Sequence, residues 1–512
     1  MVIICSGLKS ENLGPSVVKY EILESWSPSF NDACDCRDAG TTLIFQIDDA
    51  FVVAEFADNI LAKSYHENIA VSAQSVTCNL EPEYATPVMA DGWESRLIVN
   101  GLNRPRSILF DTAGALLVVE QRTGITHLRL ADGNGTCLSV QEETSLVQDS
   151  ELNHGLALSN DGRTLYASTA DEVYAWEYDP AGPSLSAERR TVVNGMDSGG
   201  HTSRTLMMSQ KQPGVLVVSR GSDGNIDIET ADITSGRSQI KAFDLNNLTA
   251  DSSPYDYASQ GRLLGWGLRN SVGVAEEPME GGIYSVENSV DQIERDGVDI
   301  HQDNPGEEMN YHGFLNASTE DQGGNYGYPV GDQFSADQTS TSNDTFCRED
   351  RIAPRLTFQA HMAPLDMKFL QNGTKAFVSF HGSWDRSAPV GYKLSSIDFA
   401  DGSPVAAADS RTSTTDIMSN PDLAACPENC FRPVGLAIDD QGRMFMSSDS
   451  TNEIWVLAEA STSTSTDGGA STGTGTGTGS SASPTETDNA AVRLGSQAGL
   501  LPALFWAVWA LS

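Results

Sequence analysis

Six stretches of this chain repeat one grammar, and that repetition limits the fold more than any other feature of the sequence. The first copy runs Arg104-Pro-Arg-Ser-Ile-Leu-Phe-Asp111, a glycine at 114, Leu116-Leu-Val-Val-Glu120 and, after a turn, Ile125 to Leu130. The second runs from His154 to Ser159, Gly162, Leu165 to Ser168 and Val173 to Tyr178. The third uses Ser203 to Met208, Gly214, Val215 to Ser219 and Ile240 to Asp244, and the fourth Arg269 to Val274, Gly282 and Ile283 to Ser285. The fifth is Ala363 to Phe369, Gly373, Ala376 to Ser379 and Tyr392 to Asp398; the sixth is Arg432 to Asp439, Gly442, Met444 to Ser447 and Glu453 to Leu457. Each copy is an alternating apolar strand, a glycine turn, a more continuously apolar second strand and a later outer strand. One such hairpin cannot bury both faces, but six arranged radially can, which predicts an all-β, six-bladed β-propeller. Spacings of about 50 residues between the first copies suit four-stranded blades.

The gap between the fourth and fifth copies is wider and predicts an insertion over one mouth of the channel, from Asp291 to Arg355. Long loops in a compact domain are usually functional. The propeller is expected over residues 78–458, behind an unassigned segment, 1–77, with no repeat relation to it. That first segment reads as a pro-region or a mispredicted first exon. It holds no apolar run of the length an ordinary secretory signal needs.

The other end has a different composition. Residues 459–488 are almost wholly Ser, Thr, Gly, Ala, Asp and Pro, a low-complexity stalk that cannot bury a core. In residues 489–512, three small residues from Asn489 precede a polar spacer and an apolar tail from Ala498 to Leu511. That order is a glycolipid-anchor signal with Asn489 as the attachment residue, and the tail is short for a membrane span. It predicts a secreted protein at the outer cell surface, bound to the membrane only through the anchor. Five sequons, at Asn134, Asn247, Asn316, Asn343 and Asn372, and a small Cys426–Cys430 loop fit an oxidising, glycosylating compartment. The eight cysteines show no zinc spacing. Acidic residues outnumber basic ones 70 to 31, for a net charge of −39. Such a surface repels phosphate backbones and anionic headgroups, which excludes nucleic acid as a partner.

Against that acidic background, histidines and arginines recur where blades begin or strands end. His201 precedes the third copy and Arg269 with Asn270 opens the fourth. His361 precedes the fifth, His381 and Arg386 follow its second strand, and Arg432 opens the sixth. Equivalent placement around a ring makes such side chains converge, and converging guanidinium and imidazole groups suit an anionic ligand such as a carboxylated cofactor. The insertion carries His301-Gln-Asp-Asn-Pro-Gly-Glu-Glu-Met-Asn-Tyr-His312. Its Asp303-Asn-Pro-Gly306 turn can aim carbonyls at one calcium ion, with Glu307 and Glu308 nearby to supply charge.

Four words in order, Gly-Trp-Gly-Leu-Arg-Asn (265–270), Asp-Asn-Pro-Gly-Glu-Glu-Met-Asn (303–310), Gly-Gly-Asn-Tyr-Gly-Tyr-Pro (323–329) and His-Gly-Ser-Trp-Asp-Arg (381–386), resemble the quinoprotein sugar dehydrogenases. They match best the fungal pyranose dehydrogenases that use pyrroloquinoline quinone, kin to sorbosone dehydrogenases and more distantly to soluble glucose dehydrogenases. The resemblance covers Thr77 to Leu457. It implies oxidation of the anomeric hydroxyl of a pyranose, with His201 as the general base and hydride passing to the quinone. It implies that Arg269, Asn270 and Arg432 meet the quinone's carboxylate and carbonyl oxygens. His361, His381 and Arg386 are further cofactor contacts, at places where the distant glucose dehydrogenases use other residue types. By the same resemblance Gln302 and Asp303 hold calcium (Ca2+) through backbone carbonyls, and the ion polarises the quinone. His154 is a substrate contact, and electrons leave to an external acceptor, a cytochrome or a copper oxygenase. Two other classes use such a propeller: calcium-dependent lactonases or esterases, ringed by carboxylates and Asn, and non-catalytic cell-surface binding propellers. The Arg- and His-rich ring argues against both.

Overall fold

The structure is a computed structural model that describes residues 76–460, except 197, 198, 296, 320 and 329–343, together with the backbone of four strands within residues 2–55. The stalk beyond residue 460, Asn489 with its tail, and Asn343 lie outside the described residues. The chain divides into two compact units, Met1–Gln74 and Ser75–Ser512. In the first, Val2–Ser6, Val18–Tyr20, Thr42–Ile47 and Ala50–Glu55 pair as one antiparallel sheet in the order second, first, third, fourth. The segment left unassigned in the sequence therefore contains a small sheet of its own.

The second unit is a six-bladed β-propeller, as the repeats predict. Blade one consists of Pro105–Phe110, Leu116–Glu120, Gly124–Asp132 and Leu138–Gln148, and blade two of Leu156–Leu158, Thr164–Ser168, Val173–Asp179 and Arg190–Asn194, extended by short edge strands. Blade three consists of Leu206–Met208, Val215–Arg220, Gln239–Asp244 and Arg262–Trp266, and blade four of Ser271–Glu276, Gly282–Glu287, Glu307–Phe314 and Leu356–Phe358. Blade five has Pro364–Phe369, Lys375–Phe380, Lys393–Ala400 and Thr415–Ser419. Blade six takes three strands from the chain's last repeat, Pro433–Ile438, Met444–Ser448 and Glu453–Glu459. Its outer strand is Trp93–Val99, which precedes blade one and pairs antiparallel with Glu453–Glu459, closing the ring. The only α-helix among the described residues is Asp344–Asp350.

The second strand of each blade is buried on both faces, which is why it reads as a continuous apolar run; all five residues of Leu116–Glu120 are buried. The core lies between neighbouring blades. Met309 and Phe358 of blade four pack with Met367, Val378 and Phe380 of blade five, and Ile108 and Leu116 of blade one pack with Phe445 and Ile454 of blade six. Each such side chain contributes up to about 1.5–3 kcal/mol by leaving water. Cys78–Cys137 and Cys426–Cys430 are disulfide-bonded.

One expectation needs correcting. The stretch Asp291 to Arg355 is not a single insertion, because Glu307–Phe314 is the third strand of blade four. The connection before this strand, 288–306, runs to the mouth of the channel, and the one after it, 315–355, leads to the fourth strand. Glu307 and Glu308 are therefore strand residues that burial shifts upward, each to about 7, rather than members of an acidic turn.

Candidate active site

The starts of the first strands and the ends of the second strands open onto one end of the channel, and there the repeats converge on a cavity of about 450 Å³. Blade one contributes Arg104 and Arg106, blade three His201 and Ser203, blade four Arg269, Asn270, Asn288 and Asp291. Blade five adds His361, His381, Trp384 and Asp385, and blade six Arg432 and Asp449. A volume of this size holds a small-molecule ligand with a few fixed polar groups.

Two glycines make the approach of blades three and four close enough. A Cβ on Gly221 would stand 2.6 Å from Asn270 Oδ1 and 2.7 Å from His201 Cβ. Gly267 has φ +68°, and its Cβ would collide with Asn325 Oδ1. Trp266 and Asn325 form a parallel bridge. Residues 265–270 and 323–328 are thus packed side by side next to Arg269.

Two ion networks face each other across the cavity. In one, Arg269 donates to Asp291 Oδ2 at 2.8 Å and to Asn225 Oδ1 at 2.9 Å, while His361 Nδ1 lies 3.5 Å from Asp291 and 3.4 Å from Asp385. Burial alone would lower the His361 pKa, but Asp291, Asp385, the His301 carbonyl and Glu307 outweigh it and push it up to about 8. In the other, Arg106 reaches Asp449 at 2.7 Å and His381 Nε2 donates to the same carboxylate at 2.8 Å. Burial and Arg432 bring His381 down to about 4, so the imidazole is neutral. Asp449 stays ionised well below the usual carboxylate range, its burial overcome by His381, Arg106 and Arg432. Four guanidinium groups and a protonated His361 thus face the three carboxylates Asp291, Asp385 and Asp449. The carboxyls of Glu307 and Asp385 are both shifted upward, chiefly by burial. The cavity is cationic inside a chain of charge −39.

His201 is a neutral imidazole, brought down to about 3 by burial and by Arg269. Its Nδ1–H donates to Ser222, at 3.1 Å to the carbonyl and 2.9 Å to Oγ, which leaves the ring's lone pair on Nε2. The pKa of about 3 lies far below the ordinary imidazole value of 6.5. An anion that neutralises Arg269 would raise it again.

Six sequence candidates meet at this cavity: His201, Arg269, Asn270, His361, His381 and Arg432. Four do not line it. His154 is buried beneath Arg106, whose Nε points at His154 Nδ1 from 3.4 Å, and is placed to hold that arginine rather than to touch a substrate. Gln302, Asp303 and Arg386 meet one another on the rim: Gln302 Oε1 accepts from Ser387 N at 3.0 Å, and Arg386 Nη1 donates to Asp303 at 3.4 Å. The oxygen-rich groups that do face the cavity are Asp291, Asp385, Asn288, Ser289 and Glu307. Both Asp385 oxygens are buried and accept no hydrogen bond, and Asp291, His361 and Asp385 bring ligand atoms within 4.8 Å of one another. Sequence reasoning missed Arg104 and Arg106, although Arg104-Pro105 opens blade one just as Arg432-Pro433 opens blade six. It also missed Asp449, which follows a second strand just as His381 does.

A family model described as TrAA12-like matches residues 87–460. A pyrroloquinoline quinone-dependent sugar dehydrogenase from Hypocrea jecorina is 48% identical over 412 residues, 76% of this chain and 94% of that protein. A pyrroloquinoline quinone-dependent pyranose dehydrogenase from Coprinopsis cinerea is 37% identical over 74% of this chain but only 56% of that longer protein. A calcium structure of a Trichoderma reesei carbohydrate-active enzyme of family AA12 superposes with a TM-score of 0.72 at 50% identity, covering 74% of this chain and 99% of the other. The holo pyranose dehydrogenase quinone domain of Coprinopsis cinerea gives 0.68 at 36% identity, covering 74% and 98%. The chain belongs to the TrAA12-like family, and its kinship is with the pyrroloquinoline quinone-dependent sugar dehydrogenases.

Proposed function

We propose that this chain oxidises the anomeric hydroxyl of a pyranose or related sugar, using pyrroloquinoline quinone and calcium in the cationic cavity and passing electrons to an external acceptor. The observation that carries this reading is the convergence of Arg104, Arg106, Arg269 and Arg432 around neutral His201 in one cavity. Guanidinium pairs bind carboxylates bidentately, so the four arginines fit a tricarboxylate. The donor chemistry of Asp385 and Asp291 fits a hard cation, and those two carboxylates, rather than Gln302 and Asp303, would hold calcium. The bound groups supply a two-electron acceptor and a Lewis acid. The chain does the rest: the arginines orient the ligand and His201 Nε2 takes the hydroxyl proton.

The test is to add quinone and calcium to the purified protein and follow dye reduction by a panel of sugars. Sugar-dependent reduction that needs both additions is expected. Hydrolysis of lactones with calcium alone, and no dye reduction, would overturn it in favour of a lactonase.

We also propose that the protein is a glycoprotein held at the cell surface by a glycolipid at Asn489. Asn134, Asn247, Asn316 and Asn372 are all exposed, and both disulfides suit an oxidising compartment. Release of the active protein by an anchor-specific phospholipase checks it, and a retained apolar tail in the mass spectrum refutes it.

A further inference from the structure

Three loops form a continuous rim along one side of the cavity mouth. Asn225 of the blade-three loop donates to the Asp291 carbonyl at 2.8 Å. His301, in the connection that begins near Asp291, contacts the Asp385 carbonyl at 2.9 Å, and Gln302 holds Ser387. On this rim the chain exposes apolar side chains that nothing else in the described residues covers. Ile228 is 68% exposed, Val298 61% and Trp384 57%, with Ile226 and Ile233 beside Ile228 at 42% and 41%. Five of the nine large hydrophobic side chains that the described residues expose therefore stand on three loops. Exposed apolar side chains gathered on adjoining loops and bordered by polar residues mark an interaction site.

The charge around it is predominantly acidic. Asp223, Glu229, Asp232, Glu294, Asp299 and Asp303 are exposed on the same loops, and those loops contain no lysine. Of the three arginines, Arg237 is engaged by Asp223, Asp227 and Glu229, Arg386 by Asp303, and Arg295 stands opposite Val298 in its hairpin, so the six exposed carboxylates outnumber them. A second copy of this acidic chain would be repelled, and an anionic lipid surface likewise. A protein with an apolar centre and a lysine-rich border is complementary.

We propose that this rim is the docking surface of a basic, one-electron redox protein. The inference rests on the quinone-dependent reading and specifies the acceptor. Oxidising one sugar hydroxyl to a carbonyl releases two electrons and two protons. Two acceptor molecules each take one electron in successive encounters, and both protons go to solvent. Trp384 lies on both the cavity wall and the exposed rim, so an acceptor seated there stands directly over the cavity.

The experiment measures binding first. A lysine-rich c-type cytochrome is titrated onto the full chain without quinone at low and at near-physiological salt, beside an acidic cytochrome of similar size. The basic protein should bind, with affinity falling roughly tenfold or more as salt rises, and the acidic one should not. Ile228→Ser and Val298→Ser should each weaken binding by about tenfold, the equivalent of roughly 1.4 kcal/mol, and Glu229→Gln with Asp299→Asn should flatten the salt dependence. In the loaded enzyme, the same variants should slow cytochrome reduction while leaving dye-coupled sugar oxidation unchanged. Equal binding of the acidic cytochrome, salt-independent binding, or wild-type affinity in the serine variants would overturn the proposal. So would concentration-dependent dimerisation that Val298→Ser abolishes while no cytochrome binds. Loss of sugar oxidation with the dye would refute the quinone-dependent reading instead, and the binding measurement keeps the two failures apart.

Discussion

His201 and Arg269 sit side by side in the cavity, and their roles separate experimentally. Replacing His201 with Ala removes a proton acceptor but none of the guanidinium groups, so turnover should fall by about 10²–10⁴ while quinone still titrates normally by absorbance. Arg269→Ala should instead weaken quinone binding by roughly one to two decades, the size of a lost charge-assisted hydrogen bond, because the proposed function makes that side chain a partner of the anion. Calcium has its own signature. His361, pushed up to about 8, and Glu307, raised to about 7, both carry protons near neutrality beside Asp385 and Asp291. For His361 the folded pKa exceeds the ordinary 6.5, so its contribution to stability is complete below 6.5 and is lost as pH rises through about 8. Glu307 adds in the same direction, its contribution complete below 4.5 and lost as pH rises through about 7. A cation competes with these protons. Calcium should therefore raise the melting temperature more at about pH 8 than at about pH 6, and Asp385→Asn should erase the difference; an unchanged increment in that variant would move the ion elsewhere. Much of this site was legible, since repeat position singled out six of its residues. The buried carboxylates were not, because an Asp or Glu in a loop looks the same in sequence whether it faces a cavity or solvent.

At the scale of strands and blades, the repeats disclosed what a radial sheet must satisfy: a buried second strand and a glycine turn in every copy. They could not disclose which strand closes the ring. Trp93–Val99 has no hairpin partner next to it in the chain, and only its pairing with Glu453–Glu459 gives it a role. The third strand of blade four was hidden for a similar reason. Glu307–Phe314 begins with two glutamates, and two acidic residues in a row read as surface until burial is known. Cys78–Cys137 belongs to the closing device, because it ties the segment before Trp93–Val99 to the turn before the outer strand of blade one. The two cysteines are 59 residues apart, and a loop of that length constrains the unfolded chain by about 4 kcal/mol. Cys78→Ser with Cys137→Ser should lower the melting temperature by several degrees, and more than Cys426→Ser with Cys430→Ser, whose loop spans only four residues. Equal losses would mean that chain closure is not what the first disulfide contributes.

The whole molecule sets a long-range field against a short-range one. The chain carries −39, yet the cavity holds Arg104, Arg106, Arg269 and Arg432. A tricarboxylate approaching from solvent meets repulsion first and attraction only at the cavity wall. Salt acts unequally on the two, since the Debye length shrinks from about 30 Å at 0.01 M to about 8 Å at 0.15 M. The distant repulsion is screened away, whereas buried contacts with Arg269 and Arg106 are screened much less. Added salt should therefore accelerate quinone association by roughly threefold to tenfold and leave dissociation nearly unchanged, the reverse of ordinary electrostatic steering. Stopped-flow absorbance at several sodium chloride concentrations measures both rates. A basic protein arriving at the same mouth should show the opposite trend, because for it the long-range field is attractive. If quinone association slows with salt instead, the arginines project their field beyond the mouth, and the acidic surface does not govern entry.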